Sequence, residues 1–114
     1  MRPAATRPGV SLASSTLYLA FELGNTCTEC NFPPERLEAY VEAYHRSPTR
    51  GDVARVRLGA LRSEYGWSLW GFIQAATSPL DFDFHDWGQQ RYEKAAATFT
   101  SDGFDRLLEE AAGD

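Results

Sequence analysis

The stretch YGWSLWGFIQAATSPLDFDFHDWG, Tyr65 to Gly88, contains all three tryptophans of the chain: Trp67, Trp70 and Trp87. Leading into it and through its first half, Leu58, Leu61, Tyr65, Leu69, Phe72 and Ala76 recur at steps of three and four. That spacing predicts an amphipathic helix that Asp52 can cap and that runs through about Ala76. Gly59, Gly66 and Gly71 weaken it and allow a kink. Ser78-Pro79 breaks the pattern, and a further helix is predicted from near Asp83, carrying Phe84, Gly88, Tyr92, Ala96 and Phe99 on one side.

Outward from this stretch the same period continues. Pro33 and Pro34 signal a helix start, followed by Leu37, Tyr40, Val41 and Tyr44 at i, i+3, i+4 and i+7, and SPTRGD ends that helix. A short last helix is predicted from near Ser101 or Asp102, using Phe104, Leu107 and Leu108. No stretch shows sustained period-two alternation or a hairpin signal. The chain therefore reads as all-α, with about four helices and short connections. Residues 1–16 are rich in Pro, Ala, Ser and Thr without periodicity and are expected to be poorly ordered, with one helical domain over residues 17–114.

Composition limits the function classes. At 114 residues the chain is long enough for one core. A net charge of −5 with scattered Lys and Arg disfavours nucleic acid as a partner, because phosphate binding needs clustered basic residues. No segment approaches the ~20 apolar residues of a transmembrane helix, so no membrane partner is expected. The N-terminal stretch is interrupted by Ser, Thr and Gly and followed by Glu22, unlike a secretory signal. Cys27 and Cys30 form a single C-x-x-C, and His45 and His85 lie far from it in sequence, so a zinc site lacks ligands and no metal is expected. The two thiols read as reduced and partly buried, a pattern that suits the cytoplasm.

Successive helical residues are about 100° apart. With Leu69 at zero, the aliphatic stripe centres near roughly −25°, while Trp70 falls at about 100° and Trp67 at about 160°. Two readings follow. Either the long helix is central and the indoles are core with their N–H groups bonded, or they form one wall of a pocket completed by aromatics past Ser78-Pro79. Such a pocket suits an organic cation, since each ring face attracts a desolvated cation by roughly 0.5 to 2 kcal/mol.

The segment YGWSLWGFIQAATSPLDFDFHDWGQQRYEKAAATF resembles the C-terminal helical part of choline/ethanolamine kinases, which are similar to aminoglycoside phosphotransferases and share the protein-kinase-like fold. FELGN, Phe21 to Asn25, resembles the family's F-D-[IL]-G-N element with Glu22 in place of Asp, and TCTEC aligns Glu29 with a Glu near the substrate amine. The resemblance implies that Trp67, Trp70 and Trp87 line an amine pocket, with Phe82 as a further wall and Glu29 as charge partner. Choline or ethanolamine would be the ligand. Asp81, Asp83 and Asp86 read as helix-start acids favoured by the dipole, and Arg91 and Glu93 as a solvated face.

Phosphoryl transfer needs bound nucleotide, Mg²⁺ ligands and a carboxylate that orients the attacking hydroxyl. The family carries these in an H-x-D-x-x-x-x-N loop and an Asp-containing metal motif upstream of F-D-[IL]-G-N, and here the twenty residues before Phe21 contain no Asp, Glu, His or Lys. The resemblance therefore implies ATP and magnesium for the full-length family, and a chain that binds neither, is inactive alone and derives from a gene fragment. Two other expectations stand beside it. One is a non-catalytic binding module for a quaternary ammonium ligand. The other is an interaction remnant that self-associates through a face once packed on a missing lobe.

Overall fold

A computed structural model describes residues 8–45 and 47–113. Residues 1–7 of the segment expected to be poorly ordered lie outside the described residues. Helices account for all the regular structure among the described residues: α1 (Pro8–Glu29), α2 (Pro34–Tyr44), α3 (Arg50–Thr77), α4 (Phe84–Phe99) and α5 (Phe104–Ala112). The all-α expectation holds with five helices where about four were expected. The additional one is α1, which runs across the boundary placed near Leu17.

Helix α1 contains Gly24, Asn25, Thr26 and Thr28, all poor helix formers. Tertiary packing overrides them, because Ala20, Leu23 and Cys27 fall on one side and are buried with Leu37, Val41 and Val56. The helix closes in a Schellman arrangement. Asn31 takes a left-handed φ of 55°, Phe32 N–H donates to the Cys27 carbonyl at 2.9 Å and Asn31 N–H to that of Thr28 at 3.1 Å. Phe32 then packs on the core that contains Cys27. Burial, with a smaller contribution from Cys30, pushes the Cys27 thiol above its ordinary value. The cysteines are not alike, where both were expected to be partly buried: Cys27 is buried and Cys30 exposed.

Helix α3 is the centre of the molecule, packing against α1, α2, α4 and α5. It starts with a capping box in which Thr49 is the N-cap and Asp52 the reciprocal acid, correcting the expectation that Asp52 is itself the cap. The helix runs 28 residues without a break at its glycines. Two of them are crossing points. A Cβ on Gly24 of α1 would collide with the backbone of Gly59 and Ala60, and one on Gly59 would lie 2.7 Å from the Ala20 carbonyl oxygen. A Cβ on Gly71 would lie 3.0 Å from the Gly88 Cα of α4.

The predicted aliphatic stripe is not the buried face. Leu61 is buried, but Tyr65 and Leu69 are 40% and 42% exposed. Ala54, Val56, Gly59, Ser63, Glu64, Ser68 and Gly71 are buried in their place. Small residues win because α3 has neighbours on several sides, and close backbone approach buries whatever side chain lies at the crossing. Helix α5 docks through Leu107 and through Arg55, which donates to the carbonyls of Ala111 and Gly113 at 2.9 and 3.0 Å while pairing with Asp52 at 2.8 Å.

Candidate functional site

The three tryptophans meet where α3 and α4 cross. Trp67 and Trp70 stand one turn apart on α3, and Trp87 comes from the first turn of α4, brought close by the Gly71 and Gly88 contact. Ring centroids lie 5.6 Å apart for Trp67 and Trp70, 5.6 Å for Trp70 and Trp87, and 6.5 Å for Trp67 and Trp87, all edge to face. Each such pair adds about 0.5 to 1.5 kcal/mol beyond its buried area. Phe84 continues the cluster at 5.7 Å from Trp70, and Phe82 stacks edge-on against Phe84 at 4.8 Å.

The cluster is neither core nor free surface. Trp67 and Trp87 are half-buried, whereas Trp70 is 40% and Phe82 55% exposed. An open groove of about 540 Å³ runs beside Trp67 and Trp70, bounded by Phe21, Asn25, Arg62 and Ser63.

Asn25 holds the groove's inner wall. Its Oδ1 accepts both the Trp67 indole N–H, at 3.2 Å, and the Ser63 hydroxyl. Ser63 of α3 is thus a hydrogen-bond partner in the same network as Trp67. In FELGN, Gly24 permits the α1–α3 crossing and Asn25 fixes the first tryptophan.

The charges differ from expectation. Arg91 is not a solvated side chain: its guanidinium carbon lies 3.8 Å from the Trp87 ring centroid, and the residue is half-buried. Arg62 lies 5.3 Å from the Phe21 ring at the groove's other side. Two of the aromatic rings around the cluster therefore already carry cations from this chain. Glu29 is exposed in the last turn of α1, and among the described residues no ion pair or hydrogen bond joins it to the aromatic cluster. Asp83 is the N-cap of α4, accepting the Asp86 N–H at 2.9 Å, and Asp86 accepts the Gln90 side-chain amide at 2.8 Å. Both are helix-start acids, as their position suggested; Asp81 is exposed in the preceding turn.

The structure thus brings Trp67, Trp70, Trp87 and, through Phe84, Phe82 together, and among the described residues joins Glu29 to none of them by a hydrogen bond or ion pair. Sequence reasoning missed Asn25 and Arg91 as parts of the cluster. Arg91 had a usable signal, one helical turn beyond Trp87 on α4, where a long side chain can fold back over the ring. Asn25 had none, because its contact with Trp67 depends on how α1 crosses α3.

No protein-family model matches the chain, and no solved structure matches it. It is similar to the probable ethanolamine kinase A of Dictyostelium discoideum, with 27% identity over 95 residues that cover 68% of this chain. The same match covers 27% of the relative, so the chain spans about a quarter of that protein's length. At this level the similarity supports a kinase-family relationship and nothing finer.

Proposed function

We propose that this chain forms the amine-binding, C-terminal helical part of a choline/ethanolamine kinase-like phosphotransferase, whose full-length members phosphorylate an amino alcohol with ATP. The observation that carries this reading is the convergence of Trp67, Trp70 and Trp87 beside an open groove, in a chain similar to a probable ethanolamine kinase. In this reading the exposed face of Trp70, backed by Trp67 and flanked by Phe82, receives the cationic head of choline or ethanolamine. A ring face contributes about 0.5 to 2 kcal/mol toward a cation, more as water is excluded. Trp87 takes part only when Arg91 leaves its face, since one side of that ring is already covered. Glu29, exposed on α1, acts as a long-range attraction rather than a contact.

In this reading ATP and magnesium are bound by parts of the full-length family that this chain does not supply, and among the described residues no group of three His, Cys, Asp or Glu side chains is arranged to hold a metal ion. No phosphoryl-transfer step is therefore assigned to this chain, and in this reading the nucleotide and the catalytic base belong to residues outside it.

Titrating the purified chain with choline tests the reading. Tryptophan fluorescence is expected to change saturably, and Trp70→Ala to abolish the change while far-ultraviolet circular dichroism stays helical. A flat response at millimolar choline contradicts it. ATP-dependent choline phosphorylation by this chain alone contradicts the division of labour.

A second reading is favoured by the exposed Leu69, Ile73, Leu80 and Phe82, at 42%, 59%, 69% and 55%. Here the same end of α3 and the turn after it form an interaction surface.

A further inference from the structure

The tryptophan groove offers a cation ring faces and little that can accept a hydrogen bond. Among the described residues no Asp or Glu lines it. Of its polar side chains, Arg62 can only donate, and the Tyr65 ring packs against Tyr92 and Phe99 of α4 at 6.4 and 6.2 Å. The remaining acceptor of note is the Asn25 carbonyl oxygen, which has two lone pairs. Both are taken, one by the Trp67 indole N–H and one by the Ser63 hydroxyl. The Asn25 amide nitrogen can only donate, and Ser63 is 5% exposed. Backbone carbonyls of α1 and α3 along the groove are committed to their own helices.

The chain itself shows which of its cations settle on rings. Three guanidiniums do: Arg36 over Phe32 at 5.8 Å, Arg62 over Phe21 at 5.3 Å and Arg91 over Trp87 at 3.8 Å. Lys94, the single lysine and a primary ammonium, donates instead to Asn31 Oδ1 at 2.8 Å. The physical difference is hydration. A primary ammonium is compact, strongly hydrated and carries three N–H donors that need acceptors, whereas a guanidinium is weakly hydrated. A quaternary ammonium has no N–H to satisfy and is a cation that aromatic cages commonly hold. We propose that the tryptophan groove admits a quaternary ammonium and rejects a primary one, with Asn25 and Ser63 setting this specificity by closing the Asn25 carbonyl oxygen to ligands. Choline then enters and ethanolamine does not, since ethanolamine would desolvate N–H donors with nothing to receive them. This inference rests on the amine reading of the groove.

The test compares choline with ethanolamine in NMR titrations of the full chain, read at the indole N–H resonances. The two ligands share a hydroxyethyl arm and differ in the N-methyl groups. Choline is expected to shift the Trp67 and Trp70 signals saturably, and ethanolamine to bind at least about tenfold more weakly, as for charged N–H groups left without acceptors. Ser63→Ala returns one lone pair of Asn25 Oδ1 to the groove, and should narrow the choline-to-ethanolamine ratio by about threefold or more. Ethanolamine bound by the wild type as tightly as choline, or more so, overturns the proposal and leaves the amine reading standing. That comparison requires no variant to fold. An unchanged ratio in a folded Ser63→Ala chain overturns it as well. Indole signals that stay fixed with both ligands are a different result: they remove the amine reading, and this proposal with it.

Discussion

The residue that most changes the meaning of the tryptophan cluster is Asn25. A single carbonyl oxygen accepts two donors, and one is the indole N–H that a half-buried tryptophan must satisfy. Asn25→Leu leaves the Trp67 N–H and the Ser63 hydroxyl without that acceptor, at a cost of about 1 to 3 kcal/mol. Urea unfolding should show that loss, together with a change in tryptophan emission; an unchanged midpoint and spectrum would mean that the Asn25 contact is not populated. Arg91 acts in the opposite sense, as a cation already seated on Trp87. The two differ in how legible they were: Arg91 stands one helical turn beyond Trp87, a spacing that lets a long side chain fold back over the ring, whereas the Asn25 contact depends on how α1 crosses α3 and leaves no signature in spacing. The tryptophans were legible because i, i+3 positions on one helix must share a face.

At the scale of the helices, periodicity located α2, α3, α4 and α5, while α1 escaped because its sequence is locally unsuited to a helix and is held by Leu23 and Cys27 against Val56. The start of α3 was placed three residues late, at Asp52, since either half of a capping box can be read as the cap. That box makes a pH-dependent contribution. The Thr49 backbone N–H, at 2.9 Å, ahead of the Arg55 guanidinium, holds the Asp52 carboxyl below its ordinary 3.8. A depressed folded-state value means that the stabilisation is complete above 3.8 and is lost as pH falls through the lower folded value. Unfolding free energy of the wild type should therefore drop more steeply below that point than in Asp52→Asn; parallel pH profiles would refute the assignment. Thr49→Ala removes the other half of the box and should cost about 0.5 to 2 kcal/mol. The misread stripe on α3 has the same origin as the missed helix. A pattern search weights large apolar residues, whereas this helix is buried through Gly59, Ser63, Ser68 and Gly71 and leaves Tyr65 and Leu69 outside.

For the whole molecule, α3 carries the tryptophan groove, whose arginines already cover Trp87 and Phe21. The exposed Leu69, Ile73, Leu80 and Phe82 belong to the C-terminal part of α3 and the turn after it. If that end is an interaction surface, light scattering should show concentration-dependent self-association that Ile73→Lys suppresses; a monomer at every concentration would leave the amine reading as the account of these residues. No helix among the described residues is long and apolar enough to cross a membrane. The central claim is that the tryptophan face receives an organic cation, and the indole N–H resonances of Trp67, Trp70 and Trp87 report on it directly. Titration with choline is predicted to move the Trp67 and Trp70 signals saturably in the wild type, and the Trp67 signal no longer in Trp70→Ala. Indole signals that stay fixed at millimolar choline, in a chain that remains folded, would contradict it.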